Sequence, residues 1–252
     1  MNMRVAFVRA ALAMGMFIVP AMVWTNTDAA ASSAASAPVT TVATTVAEAA
    51  AEAVSAFDLA AWDTDVLGAV DTRIFALALQ AAETAIRRGD VGTPTTLTVI
   101  DFSRPSTKKR MWVYDLRSRE LLFEELVSHG RGSGQTMATA FSNRAESHQS
   151  SIGLYRAGET YTGKHGYSLR LDGLDEGFND QARARAIVVH AADYVSEQFA
   201  QAQGYLGRSH GCPAVRPEVS RKLIDTVKGG GLIFAYYPDA KWLETSPYLS
   251  GS

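Results

Sequence analysis

The 252-residue sequence predicts a mostly β, α+β domain, and three observations carry that prediction. Between Thr96 and Val127, three apolar runs of strand length follow one another across polar connections. From His129 to Gly177, glycine, serine and asparagine dominate, a composition of loops and irregular extended chain. Apolar residues at helical spacing are confined to a few segments, chiefly Leu67 to Arg88 and Pro217 to Lys228.

In chain order, Arg4 and Arg9 precede the apolar run Ala10 to Trp24, and Ala29 to Ala31 offer small residues for cleavage. Residues 1–31 therefore read as an export signal, or as an N-terminal anchor where it stays uncleaved. Residues 32–56 are rich in Ala, Ser and Thr without a large side chain, which is the composition of a flexible linker. The folded unit is expected over 57–252 and opens with a helical segment, 57–90. Gly89, after Arg87 and Arg88, is its stop.

The strand runs are Thr96 to Phe102, Met111 to Leu116 and Leu121 to Val127, the last two joined by Arg117-Ser118-Arg119 as a hairpin. Ala186 to His190 is a continuous apolar run, hence a buried strand, and its end is a stiff place to mount a histidine. A short helix fits Asp193 to Gln203, closed by Gly204. Pro217 opens a helix with Val219, Leu223, Ile224 and Val227 on one face. Three glycines end it, and Leu232 to Tyr237 form a last strand.

The only cysteine stands in Arg208-Ser209-His210-Gly211-Cys212-Pro213. A lone thiol in an exported chain is an oxidation liability unless it is inaccessible or used in chemistry. Gly211 lets a substrate approach the backbone, so the amides of Gly211 and Cys212 are candidate oxyanion donors. Pro213 has no N–H to add. The N-terminus of the 217–228 helix is a candidate source of positive field for the thiolate. A net charge of −2 gives no basic surface suited to nucleic acid.

Together these residues resemble the L,D-transpeptidase (YkuD-type) catalytic domains, in the murein L,D-transpeptidase catalytic domain subgroup, over roughly Thr96 to Tyr237. The likeness rests on Asp101-Phe102-Ser103, Val113-Tyr114-Asp115-Leu116, His129-Gly130-Arg131-Gly132-Ser133-Gly134 and Phe141-Ser142-Asn143. It continues through Ser150-Ser151-Ile152-Gly153, Gly163-Lys164-His165-Gly166-Tyr167-Ser168-Leu169, Phe178-Asn179-Asp180, Arg185 to His190, and Gly207 to Ala214.

The resemblance implies a β-sandwich catalytic domain with a few covering helices, without a cofactor or metal, working in the periplasm or cell envelope. It implies Cys212 as nucleophile, His190 as base, and Ser209, His210 and Gly211 as shapers of the site. The implied substrate is a peptidoglycan stem peptide, attacked at its third residue with release of terminal D-alanine. The thioester passes to an amine, giving a 3→3 cross-link or attachment of a wall-linked lipoprotein, and carbapenems are implied inhibitors.

Further candidates for substrate binding are Arg208, Arg216, His165, Tyr167, Asn143 and His129, while His148 reads as solvated. Two positions depart from the family pattern: Ala191 stands where glycine is frequent, and Ala214 where arginine is frequent, with Arg216 two further on. The arginine that meets the substrate carboxylate is thus open among Arg216, Arg208 and the 129–170 loops.

Three rivals share these residues. Water in place of the amine makes the site an L,D-carboxypeptidase or endopeptidase. His190, His210 and Cys212 are enough ligands for an open zinc site, although no His-Glu-x-x-His or paired-cysteine spacing accompanies them. The last is a wall-binding domain without activity.

Overall fold

A computed structural model describes residues 56–250 of the chain. The signal or anchor expected at 1–31 and nearly all of the linker expected at 32–56 lie outside the described residues. Among the described residues, no helix is long and apolar enough to cross a membrane.

Strands β1 (Thr96–Asp101), β2 (Met111–Asp115), β3 (Leu121–Glu125), β4 (Gly153–Gly163), β5 (Gly166–Gly173), β6 (Val188–Ala191), β7 (Ala214–Val215) and β8 (Leu232–Tyr236) form one sheet. Its order is β3-β2-β1-β8-β4-β5-β6-β7. β1 pairs in parallel with β8 and β6 with β7; the other neighbours are antiparallel. The two ends of this order meet. Beyond β3, the Ser128 amide donates to the Ala214 carbonyl at 2.9 Å, and Gly130 bridges to Ser209. The sheet-dominated α+β class therefore holds, and the two packed layers of a sandwich are supplied by one sheet that turns back on itself.

Strands β1, β2 and β8 are buried on both faces, which explains why they read as nearly continuous apolar runs. Leu97, Val99, Trp112, Tyr114, Leu154, Leu232 and Phe234 face one way, towards helix α1 (Thr72–Arg87). α1 begins where the Asp71 carboxylate caps the Arg73 amide, and its Ala78, Ala81, Ala82 and Ala85 are buried. The intervening residues Ile100, Met111, Val113, Ile233 and Ala235 face the other way, into a cluster with Leu169, Leu171, Val189 and Val215. Leu223, Ile224 and Val227 of α3 (Pro217–Val227) close that cluster.

Three local readings are revised. The helix starts at Thr72, after two 3₁₀ turns, so Leu67 and Val70 are core residues ahead of it. The stretch read as loops and irregular extended chain contains a long hairpin, β4–β5, whose register shifts between Ala157 and Thr160 and whose glycines and threonines are braced by β8 on one side and β6 on the other. Finally, α4 (Ala240–Thr245) follows the last strand; its Trp242 indole and the Ser246 hydroxyl both donate to the buried Asp175. Helix α2 (Glu197–Gln203) ends at Gly204 in the left-handed conformation.

Candidate active site

Cys212 lies where the sheet closes. The segment His129-Gly130-Arg131 runs beside Ser209 in a parallel ladder: the Ser209 amide donates to His129 O (3.0 Å) and the Arg131 amide to Ser209 O (2.8 Å). Gly130 has to be glycine, since a Cβ there would sit 2.3 Å from the His148 carbonyl. Gly211, at φ +121°, is equally constrained, with the Gln149 carbonyl 2.7 Å from where its Cβ would be.

Ser209 staples the nucleophile turn. Its hydroxyl accepts from the Gly211 amide (3.0 Å) and donates to the Cys212 carbonyl (2.7 Å). This corrects the oxyanion-hole expectation, because the Gly211 N–H is used inside the turn and the Cys212 N–H is the candidate donor that remains.

The Cys212 thiol donates to the Ala186 carbonyl at 3.7 Å, and Ala186 adopts φ +54°, a left-handed backbone unusual for alanine. Burial pushes the thiol pKa up, opposed by the Val188 amide and the Arg185 charge. Arg185 is thus the cation beside the sulfur, a role the sequence reading gave to the N-terminus of α3. It donates to Ser142 O, Ser151 Oγ and Gln149 O, each at 2.6 Å, and so ties the 142–151 loop beneath the nucleophile turn.

His190 is the penultimate residue of β6, opposite Ala214 of β7, two residues past the cysteine, and is only 2% exposed. Its Nδ1 lies 2.8 Å from the Ala191 carbonyl. A carbonyl only accepts, so the proton is on Nδ1 and Nε2 carries the lone pair. Burial lowers the His190 pKa, the Ala191 contact opposes this, and His165 lowers it further. Raised thiol and lowered imidazole both favour a neutral pair at rest over a thiolate–imidazolium pair.

His165, exposed at the tip of the β4–β5 hairpin, stacks on His190 with centroids 4.4 Å apart and planes 28° apart. Its neighbour Tyr167 latches the hairpin to α3 by donating to Asp225 (2.7 Å), with Arg221 above its ring. His210 is exposed and stacks on His148 at 4.3 Å and 25°. His148 is therefore part of this surface, against its reading as merely solvated; nothing in its sequence neighbourhood signalled that partner.

The other candidates are held elsewhere. His129 is wholly buried, with its Nδ1 accepting from Arg110 at 2.8 Å, and burial with that charge pulls its pKa down to about 4. Asn143 uses both ends of its amide between Asp180 and Gln181, clamping two loops. Arg216 is engaged twice by Glu125, at 2.7 and 2.8 Å. Arg208 donates to Gly134 O and lies over the Tyr205 ring. Among the described residues, no three His, Cys, Asp or Glu side chains are grouped as metal ligands, so the set His190, His210 and Cys212 is not gathered as one.

The site thus sets a thiol, a buried imidazole and a half-buried guanidinium along the closing seam of a sheet-dominated enzyme domain. The chain belongs to the L,D-transpeptidase catalytic domain family, whose model matches residues 67–236. No curated protein matches it. Among solved structures it is similar to an L,D-transpeptidase from Mycobacterium smegmatis, at 17% identity and a TM-score of 0.35 over 57% of this chain and 59% of that one. An L,D-transpeptidase from Stackebrandtia nassauensis gives 15% identity and a TM-score of 0.34, covering 70% of this chain and 75% of that one. The chain thus spans about three-fifths of the length of the first of these. Superpositions this loose transfer no residue's role.

Proposed function

We propose that the protein is exported to the cell envelope and uses Cys212 to form a thioester with the third residue of a peptidoglycan stem peptide, then transfers that acyl group to an amine. The supporting observation is the contact of His190 Nδ1 with the Ala191 carbonyl, which leaves Nε2 to carry the lone pair, on the strand that pairs with Ala214, two residues past Cys212.

The neutral imidazole takes the thiol proton as sulfur attacks the carbonyl, and the Cys212 N–H faces the developing oxyanion. Collapse breaks the C–N bond, and the imidazolium returns its proton to the departing D-alanine nitrogen. An acceptor amine then attacks the thioester, loses a proton to His190 and releases the thiol. Arg185 steadies negative charge on sulfur at both stages.

The test is mass analysis of muropeptides from sacculi incubated with the full-length chain. New 3→3 dimers are expected, together with a carbapenem adduct on Cys212 in the intact protein. Cys212→Ser should abolish both while its circular dichroism stays native. D-alanine release without dimers would mean that water is the acceptor, and an unchanged muropeptide profile would overturn the reading.

A further inference from the structure

Three arginines compete to meet the carboxylate of the acyl donor, and their surroundings separate them. Arg216 has its guanidinium neutralised by the bidentate Glu125 contact. Arg208 is turned towards Gly134 O and Tyr205. Arg131 is different: it is exposed, and its Nε and Nη2 both donate to one nitrogen, Nδ1 of His148, at 3.1 and 2.8 Å. An imidazole nitrogen that accepts carries no neutralising charge. The Glu146 carboxylate lies instead at the other nitrogen of His148, at 3.6 Å, with its side chain 93% exposed. Arg131 is thus a cation without a carboxylate partner among the described residues.

Its placement is built rather than incidental. In the parallel ladder Gly130 opposes Ser209, so the next residues, Arg131 and His210, project from the same face of neighbouring segments. His148 joins them there, stacked on His210 while accepting from Arg131. That position requires unusual backbone: Glu146 and His148 adopt φ +54° and +53°, and the His148 carbonyl is held by the Gly132 amide at 2.9 Å. Lys164, next to the His165 that stacks on His190, adds a second positive charge around His210.

An enzyme that releases one terminal residue has to tell a chain end from an internal peptide bond, and the free carboxylate is the group that differs. A guanidinium offers two parallel N–H donors to that group. We propose that Arg131, seated with His148 and His210 at the rim of the nucleophile turn, binds the terminal α-carboxylate of the acyl donor, with Lys164 as a weaker second cation. This rests on the transpeptidase reading above for the identity of the donor.

The experiment separates the two. Full-length Cys212→Ala chain, which cannot turn over, is titrated calorimetrically with two stem tetrapeptides that differ only in a C-terminal carboxylate or carboxamide. The carboxylate form is expected to bind about tenfold more tightly, the scale of one charge-assisted contact. That preference should vanish in Arg131→Met, persist in part in Arg131→Lys, and fall about twofold in Lys164→Met. Carboxamide binding should hold steady throughout. An undiminished preference in Arg131→Met overturns the assignment, as does an equal loss for both peptides in Arg131→Met and Arg131→Lys. Carboxylate preference without any change to sacculi keeps the subsite and removes the transfer reaction; cross-linking without preference does the reverse.

Discussion

The two stacked histidine pairs have nearly the same ring geometry and opposite surroundings. His190 and His165 meet at 4.4 Å, and His210 and His148 at 4.3 Å. His190 is sealed in the fold at a strand end, with its tautomer set by a backbone carbonyl. His210 stands exposed on a turn among Arg131, Lys164 and His148. Burial dominates around His190, which suits a residue that accepts a proton, because low dielectric keeps the imidazole neutral. His210 is exposed and has the Arg131 and Lys164 charges around it, which suits contact with an anionic substrate. A ring stack alone therefore assigns no role; the dielectric around it does.

The largest test of this contrast is kinetic. His190→Ala should lower the rate of Cys212 acylation by roughly two to four orders of magnitude, the usual share of a general base. His210→Ala should cost about tenfold or less, and mainly in KM. Stopped-flow acylation by a carbapenem, monitored for each variant, gives the ranking; a reversed order would make His210 the base.

A third imidazole extends the contrast into the core. His129 has a folded pKa of about 4 beside Arg110, well below the ordinary histidine value of about 6.5. Its neutral form is the one that folds. Its contribution is therefore complete above about pH 6.5 and is lost as the pH falls towards 4, amounting to about 3 kcal/mol at most. Urea midpoints measured from pH 7 to 4 should fall more steeply in the wild type than in His129→Asn. Parallel curves would show that His129 titrates normally.

The smallest effect concerns His165. Removing it uncovers His190 and takes away an interaction that holds its pKa down, so the His190 pKa should rise and the acid limb of kcat/KM should move to higher pH. His165→Phe, which keeps a ring over the base, should move the limb less than His165→Ala. A limb that stays in place in both variants would reduce the His165 contact to packing.

Much of this was legible in the residues themselves. The apolar runs, the strand that carries His190, the lone cysteine in Ser-His-Gly-Cys, Pro217 and Gly204 all act through local backbone preference and burial, which a linear pattern records. The length of the β4–β5 hairpin was not legible in a stretch read as loops and irregular extended chain, because glycine is a weak strand signal and β8, from far along the chain, supplies its brace. Arg185 was passed over for a similar reason: nothing local marks one arginine of a polar loop as the neighbour of a thiol 27 positions later.

By itself, the sequence determined the class of the domain and the family, and it singled out Cys212 and His190 as candidates, because side-chain chemistry and period are properties of neighbouring residues. Only the tertiary structure decided that Ser209 consumes the Gly211 amide, that Arg185 charges the sulfur's surroundings, that Glu125 occupies Arg216, and that Arg131 meets His148 and no carboxylate among the described residues. Each of those depends on which segments lie together when the ends of the sheet close at Ser128 and Ala214. Hydrogen bonds and charges act over a few ångströms of space, and separation along the chain does not specify that distance.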